Sequence, residues 1–402
     1  MKTNPLISVV VPAYNAAPFL QMSLDSLLSQ DVKEIEIICV NDGSTDNTLD
    51  ILKEYAAKDS RICILDGPNG GYGKAMNRGL KAANGKYFAI LEPDDYLAPD
   101  SYGWMVELLE KYQLDFLKGG TGRFYTNEKG KDVFTRHHSY PIGDEVVCPR
   151  KHPELFLGIS PDTWNGMYRM DFLRKFNIEY HETPGASYQD AGFFHQTFTL
   201  AEKAMFCNRE VYMYRTDNPF SSTSARCSKP YALREEYRYI REKLEKYPDN
   251  WNEVKGIYLA HRVAGHRWIY SSLPESIKIE YLHETRKEFV ELEKFSREHI
   301  WGDNKNHFEE ILISPEYHLM CELFRRSKED NHTESRCCGG SISKLELLCC
   351  ESSFRRRYVR CSVLKFFVFG KKRNHYKQEI KLYRTLLKKI DCLKKELISD
   401  SF

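Results

Sequence analysis

Phe88-Ala89-Ile90-Leu91-Glu92-Pro93-Asp94-Asp95-Tyr96-Leu97 decides the fold of this chain. Its first four residues are apolar and read as a short buried strand, and three carboxylates follow almost at once. In an open α/β sheet the carboxyl edge of the strands is where ligands bind. Acids this close repel one another unless something positive sits between them. A hard divalent cation, Mg²⁺ or Mn²⁺, suits oxygen ligands and bridges carboxylates to phosphates. The alternative is a solvated acidic turn with Pro93 at its corner.

The residues upstream decide between the two. Ile7-Ser8-Val9-Val10-Val11-Pro12-Ala13-Tyr14-Asn15 is a β-branched run ended by proline, a strand and then a loop. Ile35 to Val40 is a second run, ending in Asn41-Asp42-Gly43-Ser44-Thr45-Asp46. Arg61 to Leu65 is a weaker third, followed by Asn69-Gly70-Gly71-Tyr72-Gly73-Lys74. Between them, Phe19, Leu20, Leu24, Leu27 and Leu28 share a helical face, as do Leu49, Leu52 and Tyr55. Asp46 or Thr45 is placed to cap the second helix. Alternating strands and helices predict a doubly wound, mostly parallel α/β sheet that delivers every polar loop to one edge.

Those loops suit a nucleoside diphosphate. Tyr14 offers an aromatic face to a base, and Asp42 can accept from a base or ribose donor. Glycines 70, 71 and 73 permit close backbone approach, and Lys74 or Arg78 can meet phosphate charge. The loop lacks the G-x-x-x-x-G-K-[ST] of a P-loop, and the first strand is not followed by G-x-G-x-x-G.

Val9 to Asn15, Val40 to Asp46, Asn69-Gly70-Gly71, Ala75-Met76-Asn77-Arg78-Gly79 and Gly85 through Leu97 together resemble the family 2 glycosyltransferases, whose fold is GT-A. The resemblance covers residues 5 to 100 and implies an inverting, nucleotide-sugar-dependent, metal-requiring enzyme. It implies a nucleotide-sugar site of Pro12, Tyr14, Asn15, Asp42, Ser44, Gly71, Lys74, Asn77, Arg78, Glu92, Asp94 and Trp164. Asp42 would contact a uracil-type base, Glu92 the ribose, and Asp94 with Asp95 the metal. The chain departs from the family in carrying Glu92 where Asp is usual and Gly73-Lys74-Ala75-Met76 in place of the commoner Ser/Ala-Ala-Arg pattern.

Inverting transfer also needs a general base on the acceptor side. Asp162 to Arg169 resembles the family's Trp-x-x-x-Tyr-Arg element, and Gln189-Asp190 stands where the family has an acidic pair. Asp190 is the candidate base; the competing reading makes it the cap of a helix from Ala191 to Lys203. Trp164 reads as core or as acceptor platform. His181 and His195 lack partners at metal-binding spacing, and His195 falls one turn from Asp190. Arg215 or Ser222, in a Tyr-x-Tyr-Arg strand and Ser-rich loop, is placed to approach the diphosphate.

The chain has 402 residues, a formal net charge of +2 and 12 cysteines. That charge gives no reason to expect nucleic acid as a partner. The cysteines, with no secretion signal read, fit a reducing compartment rather than a disulfide framework. The expected location is cytoplasmic, at the inner face of the plasma membrane if the tail attaches there. The expected organisation is a catalytic domain over 1–225, a helical extension over 226–327, a linker over 328–345 and a basic amphipathic helical tail over 346–402. Helices are expected at Tyr231–Lys246 and Glu280–Arg297, with Pro248 and Pro274 as breaks. In the tail, Ile380, Tyr383, Leu387, Ile390 and Leu393 share one helical face. A basic helix of this kind lies on an anionic membrane, docks to a partner or packs on its own domain. Cys337-Cys338 and Cys349-Cys350 lack zinc-site spacing.

The expected function is transfer of a sugar from a nucleoside diphosphate sugar, UDP foremost, to a hydroxyl of a glycan or lipid-linked saccharide in bacterial surface-polysaccharide assembly. The alternatives are a non-catalytic nucleotide-sugar-binding subunit and a nucleotidyltransferase.

Overall fold

Strand β1 (Ile7–Ala13) is buried along its whole length. Five of its residues, Ile7, Ser8, Val9, Val10 and Val11, have no exposed surface. A strand covered on both faces needs apolar side chains in both directions, which is why this run does not alternate. Each such side chain removed from water contributes about 1.5–3 kcal/mol. The computed structural model describes residues 5–137, 140–219, 221, 230–319 and 321–322. The expected linker, tail and paired cysteines lie outside the described residues, as does Ser222.

Around β1 the sheet grows as expected. β2 (Ile35–Asp42) pairs parallel with it on one side and β4 (Tyr87–Ile90) on the other, and β3 (Ile62–Gly67) adds parallel to β2. Helices α1 (Leu20–Leu28), α2 (Thr48–Lys58) and α3 (Tyr72–Ala82) make the crossovers. Asp46 carries the capping role read from the sequence, although α2 opens only at Thr48: its Oδ1 accepts both the backbone N–H and the hydroxyl of Thr48.

Beyond β4 the sheet becomes mixed. β8 (Gly166–Arg169) runs antiparallel to β4, and β6 (Phe116–Thr126) antiparallel to β8. β9 (Ala204–Arg215) is parallel to β6, and the two-residue β5 (Tyr96–Leu97) closes antiparallel on β9. β7 (Asp132–His137) pairs with β6, and the full order is β3-β2-β1-β4-β8-β6-β9-β5. The parallel half thus supplies the nucleotide-type loops. The chain then folds back so that β5, straight after the acids, is held by β9 from more than a hundred residues away.

The described chain divides into two units, Met1–Leu273 with Lys294–Trp301, and Pro274–Glu293 with Gly302 onward. The boundary expected at residue 225 falls inside the first unit. Helices α8 (Ala232–Leu244) and α9 (Pro248–Ser271) pack on α7 (Gln189–Leu200). Leu233, Glu236 and Tyr237 on α8 are buried, and Gly192 of α7 sits against Glu236. Pro248 begins α9 as its first residue, a position where its missing N–H costs nothing. In the second unit α10 (Glu275–Leu292) and α11 (Gly302–Ile313) pair through Phe289 and Phe308, ring centroids 4.9 Å apart. Among the described residues no helix is long and apolar enough to cross a membrane.

Candidate active site

The loops after β1, β2 and β3 are tied to one another by their own polar groups. Asn15, at a left-handed φ of 49°, donates its backbone N–H to Ser44 Oγ and accepts from the Thr45 N–H through Oδ1. The Asp42 carboxylate accepts the N–H groups of Gly70 and Gly71, at 2.8 and 2.9 Å. Both oxygens of Asp42 therefore brace the glycine loop. The glycines serve an approach different from the one read in the sequence. A Cβ on Gly71, whose φ is +90°, would lie 2.4 Å from the Thr183 carbonyl, and one on Gly73 would lie 2.0 Å from that of His181. The Tyr72 N–H donates to Gly185 O. The start of α3 is thus docked under the segment leading to Asp190, and only glycine permits that backbone-to-backbone contact.

Gln189 clasps the same segment from the other end. Its amide donates to Thr183 Oγ1 and Gly185 O, and its carbonyl accepts the Ser187 N–H. Tyr188 takes a left-handed φ of 64°, and α7 begins immediately after it. Asp190 lies within the first turn of α7 and makes no cap bond, so the capping alternative fails; the helix ends at Leu200 rather than Lys203.

The acids occupy three different environments. Asp95 is 1% exposed, and its carboxylate accepts from the Tyr212 hydroxyl at 2.9 Å and the Arg215 N–H at 2.8 Å. The expected metal ligand at Asp95 is therefore a carboxylate already committed to fastening β9 to the acid loop. Asp94 is half-buried, and one of its oxygens accepts from the Asn218 amide at 2.7 Å. Glu92 accepts from the Tyr72 hydroxyl at 2.7 Å, and its backbone N–H donates to Tyr212. Burial, with Asp190 and Asp94 nearby, pushes the Glu92 carboxyl up to about 8.

Asp190 faces this loop. Burial and the charges of Asp162 and Glu236 push its carboxyl up to about 7; Lys118 and a hydrogen bond from Tyr72 oppose the rise. Its Oδ1 is buried with no hydrogen-bond partner among the described residues. The Tyr72 hydroxyl thus stands between two acids from opposite sides of the site. Lys118 is 1% exposed and donates to the Asp162 carbonyl; burial brings its ammonium down to about 8. His195, one turn from Asp190, pairs with His261 at 3.1 Å. His181 bonds Glu236.

These elements enclose a cavity of about 590 Å³. Of the expected site residues, Pro12, Tyr14, Asn15, Glu92, Asp94, Asp95, Trp164 and Asp190 line it. Trp164 does so although its ring is largely buried, stacked on both Tyr212 at 4.3 Å and Tyr214 at 5.4 Å. Asp42, Ser44 and Gly71 lie behind it as braces. Lys74, Asn77 and Arg78 border a different hollow on the far side of α3. Asn77 bonds Tyr180 and Glu182, Arg78 donates to the Asp66 carbonyl, and neither lines the larger cavity. Arg215 packs its guanidinium between Phe19 and Phe124 and bonds Asp94 O, Thr126 and Asp217. It anchors the acid loop. The cation that does line the cavity is Arg123, exposed and 5.8 Å from the Tyr214 ring. Tyr72, Arg123 and Lys118 were missed from the sequence, where nothing but the glycine context of Tyr72 marks them.

Comparison with known proteins agrees with this architecture. Residues 8–198 match the family model "Glycosyl transferase family 2". The chain is 32% identical over 226 residues to the uncharacterized glycosyltransferase EpsJ of Bacillus subtilis, covering 54% of this chain and 63% of EpsJ. It is 43% identical over 117 residues to the hyaluronan synthase of Pasteurella multocida, covering 29% of this chain and 11% of that protein. The matched stretch is thus less than two thirds of either relative. The crystal structure of S. aureus TarS residues 1–349 in complex with UDP-GlcNAc shares the fold, with a TM-score of 0.65 at 17% identity, covering 80% of this chain and 92% of TarS.

Proposed function

We propose, for a chain whose residues 8–198 belong to glycosyl transferase family 2, that it is an inverting glycosyltransferase using a nucleoside diphosphate sugar, with Asp190 as its general base. The observation that carries this reading is the unpartnered, buried Oδ1 of Asp190, facing the acid loop across one cavity. A carboxyl raised to about 7 is basic enough to take a proton from a hydroxyl and is ionised in half the molecules at neutral pH.

Among the described residues no group of three His, Cys, Asp or Glu side chains forms a metal cage. The fit is to an ion held by one carboxylate and the donor's phosphates, the usual arrangement for Mg²⁺ and its relatives at nucleotide sites. Asp94 is the residue to hold it, since Asp95 is spent on Tyr212 and Arg215. When bound, a divalent ion neutralises charge on the departing diphosphate.

The protein's own part follows from the geometry. Tyr14 and Pro12 border the end of the cavity suited to a base. Trp164 gives a flat apolar wall for a sugar face. The acceptor oxygen attacks the anomeric carbon, its proton passes to Asp190, and the bond to the diphosphate oxygen breaks with its electron pair. UDP is the favoured nucleotide, supported by the TarS complex with UDP-GlcNAc. The relatives named as glycosaminoglycan synthases support a polysaccharide or related glycan as the product.

A panel of nucleoside diphosphate sugars with Mn²⁺, scored for free nucleoside diphosphate, tests the reading. Release from one donor, abolished in Asp94→Ala and sharply slowed in Asp190→Asn, is the expected result. Donor binding without turnover, even with an acceptor extract present, would make the protein a binding subunit instead.

A further inference from the structure

A second cavity, of about 480 Å³, opens on the other side of Asp190. It shares Ser160, Ala186, Ser187, Tyr188 and Asp190 with the first, so the two meet at the candidate base. Their linings differ in kind. The first is walled by acids; the second is walled by Ile159, Phe194, Leu233, Ala264, Gly265 and Trp268. Among its described lining residues Asp190 is the lone charged group, with no lysine or arginine. Its two imidazoles, His195 and His261, face each other at 3.1 Å and are held neutral by burial. One nitrogen of each ring is turned on the other. At its mouth Tyr188 and Trp268 meet edge to face, ring centroids 6.1 Å apart.

We propose that this second cavity binds an apolar alkyl or aryl aglycone of the acceptor, so that the acceptor hydroxyl reaches Asp190 from the side opposite the donor. The proposal rests on the reading of Asp190 as the base. Three observations commit the site to that occupant. The cavity is continuous with the donor side at the one residue where an acceptor must arrive. Its volume is within the range of small-molecule sites, about 300–1,000 Å³. Its lining offers no cation to a phosphate or carboxylate, and its walls are mainly apolar, so a free sugar buried there would lose water from its hydroxyls with little compensation. An alkyl chain loses nothing of that kind, and each methylene it buries raises affinity about fourfold.

The test uses the full chain and two probes, n-octyl β-D-glucoside below its micelle concentration and methyl β-D-glucoside, titrated by calorimetry. UDP with Mn²⁺ is titrated on the same preparations. With about four methylenes buried, the octyl glucoside binds roughly 250-fold more tightly than the methyl glucoside. Ala264→Trp fills the cavity and weakens octyl glucoside at least about tenfold, with UDP binding unchanged. If that variant fails to fold, Trp268→Ala, which alters a half-exposed wall, carries the test with a loss in the same direction. Equal binding of the two glucosides, no binding of either because the cavity is already filled, or octyl glucoside binding indifferent to both substitutions overturns the proposal. UDP binding that survives any of these leaves the donor reading standing. Octyl glucoside binding without UDP binding overturns the acceptor role together with the donor reading.

Discussion

Replacing Tyr72 with phenylalanine removes one hydroxyl and tests how the site sets the basicity of Asp190. That hydroxyl donates to Glu92 at 2.7 Å and stands close enough to Asp190 to favour its charged form. A hydrogen bond to a charged group is worth about 1.5–3 kcal/mol, and sharing it between two acids leaves about half for each. One pKa unit corresponds to about 1.4 kcal/mol, so Asp190 rises from about 7 by about one unit. Stabilising the carboxylate lowers its pKa, so losing the bond raises it. The activity of a base is present above its pKa and falls tenfold per unit below it. The acid limb of kcat/KM for nucleoside diphosphate release should therefore move to higher pH by about one unit in Tyr72→Phe. At pH 7 that costs roughly fivefold, and at pH 9 the loss disappears. The assay is the pH profile of both proteins between pH 5.5 and 9 at saturating Mn²⁺. An unmoved limb with a uniformly lower plateau would refute the reasoning, because Tyr72 would then act on binding. A limb moved to lower pH would refute it more directly.

Asp190 also bears on stability. Its folded carboxyl sits near 7 against a usual value of 3.8, so ionisation opposes folding. Stability is whole below about pH 4 and is lost as pH rises through about 7, by at most about 4 kcal/mol. Asp190→Asn should thus raise Tm at pH 8 and leave it nearly unchanged at pH 4, by differential scanning calorimetry; an equal shift at both would remove the electrostatic account. Asp94→Ala should weaken Mn²⁺-dependent UDP binding by about ten- to a hundredfold while leaving Tm within about 2 °C, since this half-buried acid's carboxylate is bonded by the Asn218 amide at a partly exposed position. Gly73→Ala places a carbon 2.0 Å from the His181 carbonyl and should cost about 2–4 kcal/mol in urea unfolding, because two backbones must part. A cost under 0.5 kcal/mol would mean the segment near Asp190 is not docked on α3. Trp164→Ala should cost about 3–5 kcal/mol and also raise KM for the donor, since the ring is both stacked on two tyrosines and part of the cavity wall.

The sequence by itself determined the parallel half of the sheet and the loops at its edge. Those signals are local: a β-branched run with no alternation makes a doubly covered strand, and the polar residues that follow can only emerge at its carboxyl end. Val9 to Asn15, Val40 to Asp46 and Phe88 to Asp95 carry that information in consecutive residues, and Asp190 was legible through its neighbours. Tertiary structure decided how those residues are used. Asp94 and Asp95 are adjacent in sequence and both border the cavity, yet Asp94 is half-buried and Asp95 almost wholly so, because it is the Asp95 carboxylate that accepts from the Tyr212 hydroxyl and the Arg215 N–H of β9. The glycines of the 70–73 loop were read as permitting close backbone approach, and the backbone that approaches is the chain's own: Gly71 and Gly73 lie against Thr183 and His181, in the segment before Asp190. Tyr72, Lys118 and the walls supplied by α8 and α9 acquire their roles from groups 20 to 118 residues away. Solvation and charge at a buried acid depend on everything packed around it, and that environment does not exist until the chain has closed upon itself.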